Sequence, residues 1–272
     1  MLAKLDKARF GPWALITGAS SGIGREFARQ IAASGINVVL VARREALLCE
    51  AGAEFSKEYG VAHRVVVADL CEEGFLDDLA AATAGLDIGL VVSNAGTANP
   101  GEFLKLDRSE LVQLLKLNSL AHMEIAHHFG PSLASRGHGG IVLCGAMGAT
   151  QGVPYMANES GAKSYVQSFG EALHVELTPL GVNVSVLLIG PTQTAIIEKI
   201  GFDPATMPMK PMPVEQCVFE GLEALKRNRA THLSGRMNRI MNALIPASLS
   251  RSIMAKMMAK ALATKANPAT AV

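Results

Sequence analysis

Residues 224–272 contain no aspartate or glutamate, although they hold nine lysines and arginines. All 24 acidic residues therefore lie in residues 1–223, against 16 lysines and arginines, so the body is acidic and the tail basic. The net charge of +1 is too small to argue for a nucleic-acid partner. Cysteine is equally sparse. Cys49, Cys71, Cys144 and Cys217 show no CxxC or metal-ligand spacing, which excludes a disulfide scaffold and a zinc site of familiar type and reads as ordinary thiols in a reducing compartment. No uninterrupted apolar run of about 18 residues occurs, and the opening MLAKLDKARFGPWALIT has no apolar stretch ahead of a small-residue cleavage site. A cytoplasmic location is the expectation. Internal repeats and low-complexity linkers are also missing.

What is present is a chain of 272 residues, 49% hydrophobic and 18% charged, enough apolar surface to offset the entropy of ordering one large domain. Short β-branched runs at Trp13–Thr17, Asn37–Val41, His63–Val67, Ile88–Ser93, Ile141–Cys144 and Asn183–Ile189 alternate with amphipathic stretches. Such runs read as strands buried on both faces, and the alternation predicts an α/β fold, a Rossmann-like doubly wound parallel β-sheet with helices on both faces. One principal helix is expected over Ser109–Leu133, with Asn118 near its middle. Pro204, Pro208, Pro211 and Pro213 forbid a continuous helix across Asp203–Pro213, which reads as a loop or lid.

The first strand runs directly into Gly18-Ala19-Ser20-Ser21-Gly22-Ile23-Gly24 and an amphipathic stretch to Ser34. Glycines at that place let the backbone approach a pyrophosphate, and the helix that follows offers it unpaired N–H groups. After the second strand, where a carboxylate would accept the ribose hydroxyls of NAD, the chain has Arg43 and Arg44. Two guanidinium groups suit a 2′-phosphate, so NADP(H) is the expected cofactor.

With these motifs the chain resembles the short-chain dehydrogenase/reductase superfamily over roughly residues 11–245. Thr17–Gly24 is similar to its TGxxxGIG turn, Asp69-Leu70 to its adenine-contacting pair, and Ser93-Asn94-Ala95-Gly96 to its NNAG motif. Ile189-Gly190-Pro191-Thr192-Gln193-Thr194 resembles the PGPVxT segment, with Ile189 in place of the usual proline. The resemblance implies that Ile189, Gly190, Thr192 and Thr194 face the nicotinamide. It also implies a homodimer or homotetramer paired through long helices, and a small-molecule substrate. Of the four side chains that act together in the family, Asn118 matches the helix asparagine that holds a water in a proton relay, and Lys163 matches the lysine. Four residues before Lys163, however, the family's tyrosine is replaced by Glu159, and its serine by Ala146.

The exchange changes the chemistry. A phenol with pKa ~10 is protonated at neutral pH, whereas a carboxyl with pKa ~4.3 is not, and a lysine at i+4 favours ionisation further. Only burial in an apolar pocket raises Glu159 toward 7 and makes it a general acid. Loss of the serine hydroxyl at Ala146 removes a donor to a developing oxyanion, about 2.7–4 kcal/mol if it acts as a typical one. Two readings follow. One is an NADP(H)-dependent oxidoreductase with a non-standard site built from Asn118, Glu159 and Lys163, suited to an iminium that needs no proton donor. The other is an NADP(H)-binding protein without turnover, a sensor or scaffold. Tyr155 is expected as pocket lining, or as a substitute acid if it bends inward.

The domain is expected over residues 1–245, with a substrate loop or lid at 195–225 and a basic amphipathic tail at 246–272. The tail places Leu249, Ile253, Met257 and Met258 toward one side; docking onto the acidic body or a second subunit is the preferred reading, and contact with a membrane surface the lesser one. His122, His127 and His128 lack the spacing of metal ligands and read as surface or interface residues, so no metal is expected. Eight of the twelve methionines fall within Met207–Met258, as adaptable packing or as an acyl- or lipid-like substrate pocket.

Overall fold

The computed structural model describes residues 2–200 and 210–266. Seven parallel strands form one sheet: β1 (Trp13–Thr17), β2 (Asn37–Ala42), β3 (His63–Val67), β4 (Ile88–Ser93), β5 (Gly139–Ala146), β6 (Val182–Ile189) and β7 (Thr231–Leu233), in the order β3-β2-β1-β4-β5-β6-β7. The helices are α1 (Lys7–Phe10), α2 (Gly22–Ala32), α3 (Glu45–Tyr59), α4 (Phe75–Thr83), α5 (Arg108–Leu115), α6 (Ala121–Arg136), α7 (Ala157–Leu177), α8 (Ala195–Ile200), α9 (Val214–Lys226), α10 (Arg236–Leu244) and α11 (Ala247–Ala266). This is the Rossmann-like architecture expected.

Alternation along each strand divides the interior in two, because successive side chains leave opposite faces of a sheet. Ala14, Ile16, Val38 and Leu40 pack with Phe27 and Ile31 of α2, Phe55 of α3 and Leu222 of α9. Leu15, Val39, Val91 and Ile141 meet Leu79 of α4, Ile125 and Phe129 of α6 and Val166 of α7 on the other side. Crossover helices on both faces explain why the strands lack the polar alternation of a half-wet sheet. β3 departs from the expectation: it lies at the sheet edge and exposes His63, Arg64 and Val67. β7, three residues long, carries no run long enough to be read from the sequence.

The predicted long helix begins at Arg108 and reaches Arg136, but a π turn over Lys116–Leu120 interrupts it between α5 and α6, with Asn118 at its centre. Val214–Lys226 of the 195–225 region form a core helix, α9, in which Cys217, Val218, Leu222 and Leu225 are buried. The loop expected over Asp203–Pro213 lies, as far as residue 209, outside the described residues, and so do Met207 and Met209. Its C-terminal base is pinned, since the Met212 amide donates to the Pro191 carbonyl and the Gln193 amide to the Met212 carbonyl. Among the described residues no helix is long and apolar enough to cross a membrane.

The tail differs in detail from its predicted face. α11 turns Met258 and Ala261 inward, and leaves Leu249 and Ile253 exposed. His122 is buried, not on the surface, because the helix register points it at the sheet.

Candidate active site

A cleft of about 550 Å³ runs across the carboxyl ends of β1, β2, β4, β5 and β6, where a doubly wound sheet places its ligands. At one end lies the turn after β1. Gly18 and Gly22 have φ of +67° and +54°, a region glycine enters without strain. A Cβ on Gly24 would stand 2.3 Å from the Gly18 carbonyl oxygen and 2.6 Å from the Asn94 amide nitrogen, so only glycine fits. The turn is buttressed from β4: Thr17 Oγ1 accepts from the amides of Asn94 and Ala95 at 2.9 and 3.0 Å, and Asn94 Nδ2 donates to the Thr17 carbonyl at 3.0 Å. The Asn94 side chain is thus spent on holding the turn. Ser20, Ser21 and Ile23 line the cleft, and the α2 N-terminus faces it.

Arg44 folds back over this turn, donating from Nη2 to Ser20 Oγ at 2.8 Å and to Ser21 Oγ at 2.6 Å. Arg43 is exposed and reaches Asp69 Oδ2 at 3.4 Å, beside Leu70. Arg44 and two hydroxyls thus meet at the turn, and Arg43 lines the same rim against Asp69; guanidinium groups in such a place are donors of the kind that pair with a phosphate. From the opposite wall, Ile189, Gly190, Thr192 and Thr194 close in, and the Thr194 methyl comes within 3.6 Å of a Cβ placed on Gly22. The glycine cradle, Arg43, Arg44, Ser20 and Ser21 fit a phosphorylated dinucleotide.

The other end holds Lys163, Asn118 and Glu159, the expected reaction residues. Lys163 is buried, and its Nζ donates to the Cys144 carbonyl at 2.9 Å. Gly96 lies between it and Asn118, since a Cβ there would be 3.4 Å from Lys163 Nζ and 3.3 Å from Asn118 Oδ1. The Asn118 amide is taken by a neighbour: it accepts from the Thr97 N–H at 2.9 Å and donates to the Thr97 carbonyl at 2.8 Å. Its side chain pins the loop after β4, so a relay water, if held by Asn118, is left to the backbone of the π turn.

Glu159 occupies the first turn of α7, one turn before Lys163, and lines the cleft beside Ala146. Its Oε2 is shielded from solvent and finds no hydrogen-bond partner among the described residues. Burial pushes this carboxyl up to about 7, against the opposing pull of Lys163 and Lys199. Burial likewise holds the Lys163 ammonium below the usual lysine range, with Cys144 and Glu159 acting in the other direction. The i+4 cation does not win, because both groups lose hydration and the ammonium turns its hydrogen bond to Cys144.

Tyr155 does not join them. It has φ of +62° and lines a separate hollow with Pro154, Phe103 and Leu106. Several cleft residues had no motif to announce them: Gln151, Val153 and Met156 before and at the start of α7, Ile196 and Ile200 on α8, and Ser250 and Met254 on α11. Gln151 Nε2 donates to Ser250 Oγ at 2.5 Å, tying the tail to the rim. Lys199 of α8 donates to Thr97 Oγ1 at 2.6 Å. Among the described residues no cluster of His, Cys, Asp or Glu has the geometry of a metal site.

Comparison with known proteins places this geometry. Residues 12–204 match the family described as short chain dehydrogenase. A very-long-chain 3-oxoacyl-CoA reductase of Meyerozyma guilliermondii is 37% identical over 212 residues, 74% of this chain and 62% of that protein, so the chain spans under two thirds of that relative's length. Among solved structures, a study of 7beta-hydroxysteroid dehydrogenase stereoselectivity provides one similar at TM-score 0.84 and 27% identity, covering 93% of this chain and 98% of that one. A short-chain dehydrogenase from Sphingobium yanoikuyae in complex with NADPH aligns at TM-score 0.78 and 29% identity, covering 96% and 98%.

Proposed function

The chain belongs to the short chain dehydrogenase family, a family of oxidoreductases, and from that premise we propose that it is an NADP(H)-dependent reductase of bulky apolar carbonyl compounds in which Glu159 does the work of the missing tyrosine. The observation that carries this reading is the carboxyl of Glu159 at the cleft wall one turn before Lys163, its Oε2 shielded from solvent without a hydrogen-bond partner among the described residues, where burial pushes it up to about 7. A group with that pKa is a competent acid and a competent base at neutral pH. Bound NADPH supplies a hydride to the carbonyl carbon. Glu159 gives its proton to the oxygen, yielding an alcohol and leaving a carboxylate that Lys163 stabilises at i+4.

Cofactor choice is supported by Arg44 against Ser20 and Ser21, by Arg43 beside Asp69 on the same rim, and by the NADPH found with the Sphingobium yanoikuyae relative. The substrate class is supported by the apolar wall of Leu117, Val153, Met156, Ile196, Ile200 and Met254. It agrees with the oxoacyl and steroid names of the relatives. The argument for an iminium substrate requires an ionised Glu159, and below about pH 7 burial takes that ionised form away. Ala146 still leaves the oxyanion without a hydroxyl donor from β5, which favours slow turnover.

The test is NADPH titration followed by steady-state reduction of long-chain 3-oxoacyl thioesters, steroid ketones and cyclic imines across pH 5–9. Ketone reduction whose kcat/KM falls as pH rises past about 7 is the expected result. Tight NADPH binding with no turnover of any of them overturns the catalytic reading in favour of a sensor or scaffold. Reduction of the imines alone, rising with pH, would return Glu159 to the role of an ionised partner.

A further inference from the structure

Along α10, Met237, Ile240, Met241 and Leu244 recur at i, i+3, i+4 and i+7, the spacing that gathers apolar side chains on one face of a helix. Such a stripe ordinarily turns to the core. Here it points outward, with exposures of 57%, 40%, 37% and 75%. The polar face attaches α10 instead. Buried Asn238 donates to the Ser234 carbonyl at 2.8 Å, Arg239 donates to Glu220 and to the Leu233 carbonyl at 2.8 Å each, and Thr150 donates to Asn242 Oδ1 at 3.0 Å. α11, which follows after two residues, also exposes two large apolar side chains, Leu249 and Ile253, one turn apart. Lys256 and Lys260 continue that row at i+7 and i+11 from Leu249. Arg236, Arg251, Lys256 and Lys260 are all exposed on these two helices, in a segment without one carboxylate.

We propose that the outer face of α10 and α11 docks on an anionic lipid surface, the apolar stripe entering the boundary between headgroups and acyl chains while the flanking cations meet lipid phosphates. An outward apolar row bordered by cations is the composition of a helix that lies in a membrane interface. Charge decides between this occupant and a second copy of the chain. A symmetric contact through the same face sets Arg236, Arg251 and Lys256 against their own counterparts, and like charges oppose such a pairing. An anionic bilayer turns the same cations into an attraction. Met254, the residue after Ile253, lines the cleft, so the docked face brings the bilayer to the substrate end of the site. The docking itself does not depend on the proposed chemistry.

The test is sedimentation of the full chain with vesicles of phosphatidylcholine alone or mixed with phosphatidylglycerol, at low and high salt. Pelleting with the mixed vesicles, weakened by salt, is expected. I240E/L244E should reduce it by roughly tenfold or more, because a charge is forced into the apolar boundary. R236Q/R251Q/K256Q leaves the stripe intact and should reduce it about fivefold for each cation removed. A thermal melt of each variant checks that it is folded. No pelleting of the wild-type chain with the anionic vesicles overturns the proposal. So does pelleting that neither set of substitutions alters. A dimer in analytical ultracentrifugation that I240E/L244E dissociates assigns the face to a second copy and also overturns it.

Discussion

The turn at Gly18–Gly24 and the wall from Glu159 to Met254 border the same cleft, yet they are held by different means. The turn is a matter of backbone: left-handed glycines, a close approach that any Cβ would block, and Thr17 and Asn94 bracing it from two strands. Each of those constraints attaches to a residue type at a fixed place, so a short motif encodes the whole device. The facing wall is assembled from α7, α8 and α11, which are far apart in sequence, and what its groups do depends on what surrounds them. Glu159 is the sharpest instance. Its identity predicts an ionised carboxylate, and burial at the cleft wall pushes that carboxyl up to about 7.

The largest expected effect strikes the wall alone. Glu159→Gln should lower kcat for carbonyl reduction by about 10²–10⁴-fold while NADPH affinity, followed by fluorescence, stays within a few fold. Equal loss of both would erase the distinction between the two ends of the cleft. The same substitution carries an opposite signature in stability. A carboxyl whose folded pKa lies above its unfolded value binds extra protons in the folded state, so stability falls as pH rises from about 4.5 to about 7 and stays lower beyond. Glu159→Gln should therefore melt higher than the wild type at pH 8, by on the order of 1–3 kcal/mol, with little difference at pH 4.

The turn has its own probe. Arg44→Ala removes charge-assisted donors next to Ser20 and Ser21 and should weaken NADPH binding about 10–100-fold, with NADH binding nearly unchanged. Paired titrations of the two cofactors check it, and equal weakening of both would show that Arg44 braces the turn and does not read the phosphate. Smaller again is the anchorage of β7 and the start of α10. Burial alone would raise the Glu220 carboxyl, but His232, Arg239 and the Gly235 amide donate to it and hold it at about 2. Its contribution is complete above the unfolded carboxyl pKa and is lost as pH falls from there toward 2, so Glu220→Gln should cost about 2 kcal/mol at pH 7 and almost nothing near pH 2. Thermal melts at the two pH values decide it. Ala146→Ser, which returns a hydroxyl to the wall, should raise ketone turnover by about tenfold at most, since Glu159 remains; stopped-flow or steady-state NADPH oxidation measures it.

Six of the seven strands were legible from short apolar runs, because parallel strands covered by helices on both faces need apolar residues at every position. β7 was not, since three residues of mixed character carry no period. Nor was the edge position of β3, which follows from strand order and not from composition. The long helix was read correctly in extent within a few residues, but its π turn at Lys116–Leu120 has no local cue. Tyr155 shows the same limit from the other side. It stands next to the site in sequence, and a left-handed backbone takes it into another hollow.

Local residue type by itself determined the doubly wound sheet, the glycine cradle and the paired arginines, because each depends on periodicity or on neighbours within a few positions. Tertiary structure alone decided the burial that pushes the Glu159 carboxyl upward, the spending of the Asn118 and Asn94 side chains on loop and turn, and the outward stripe of α10. Those follow from desolvation and from contacts between segments distant in the chain, which no local pattern records.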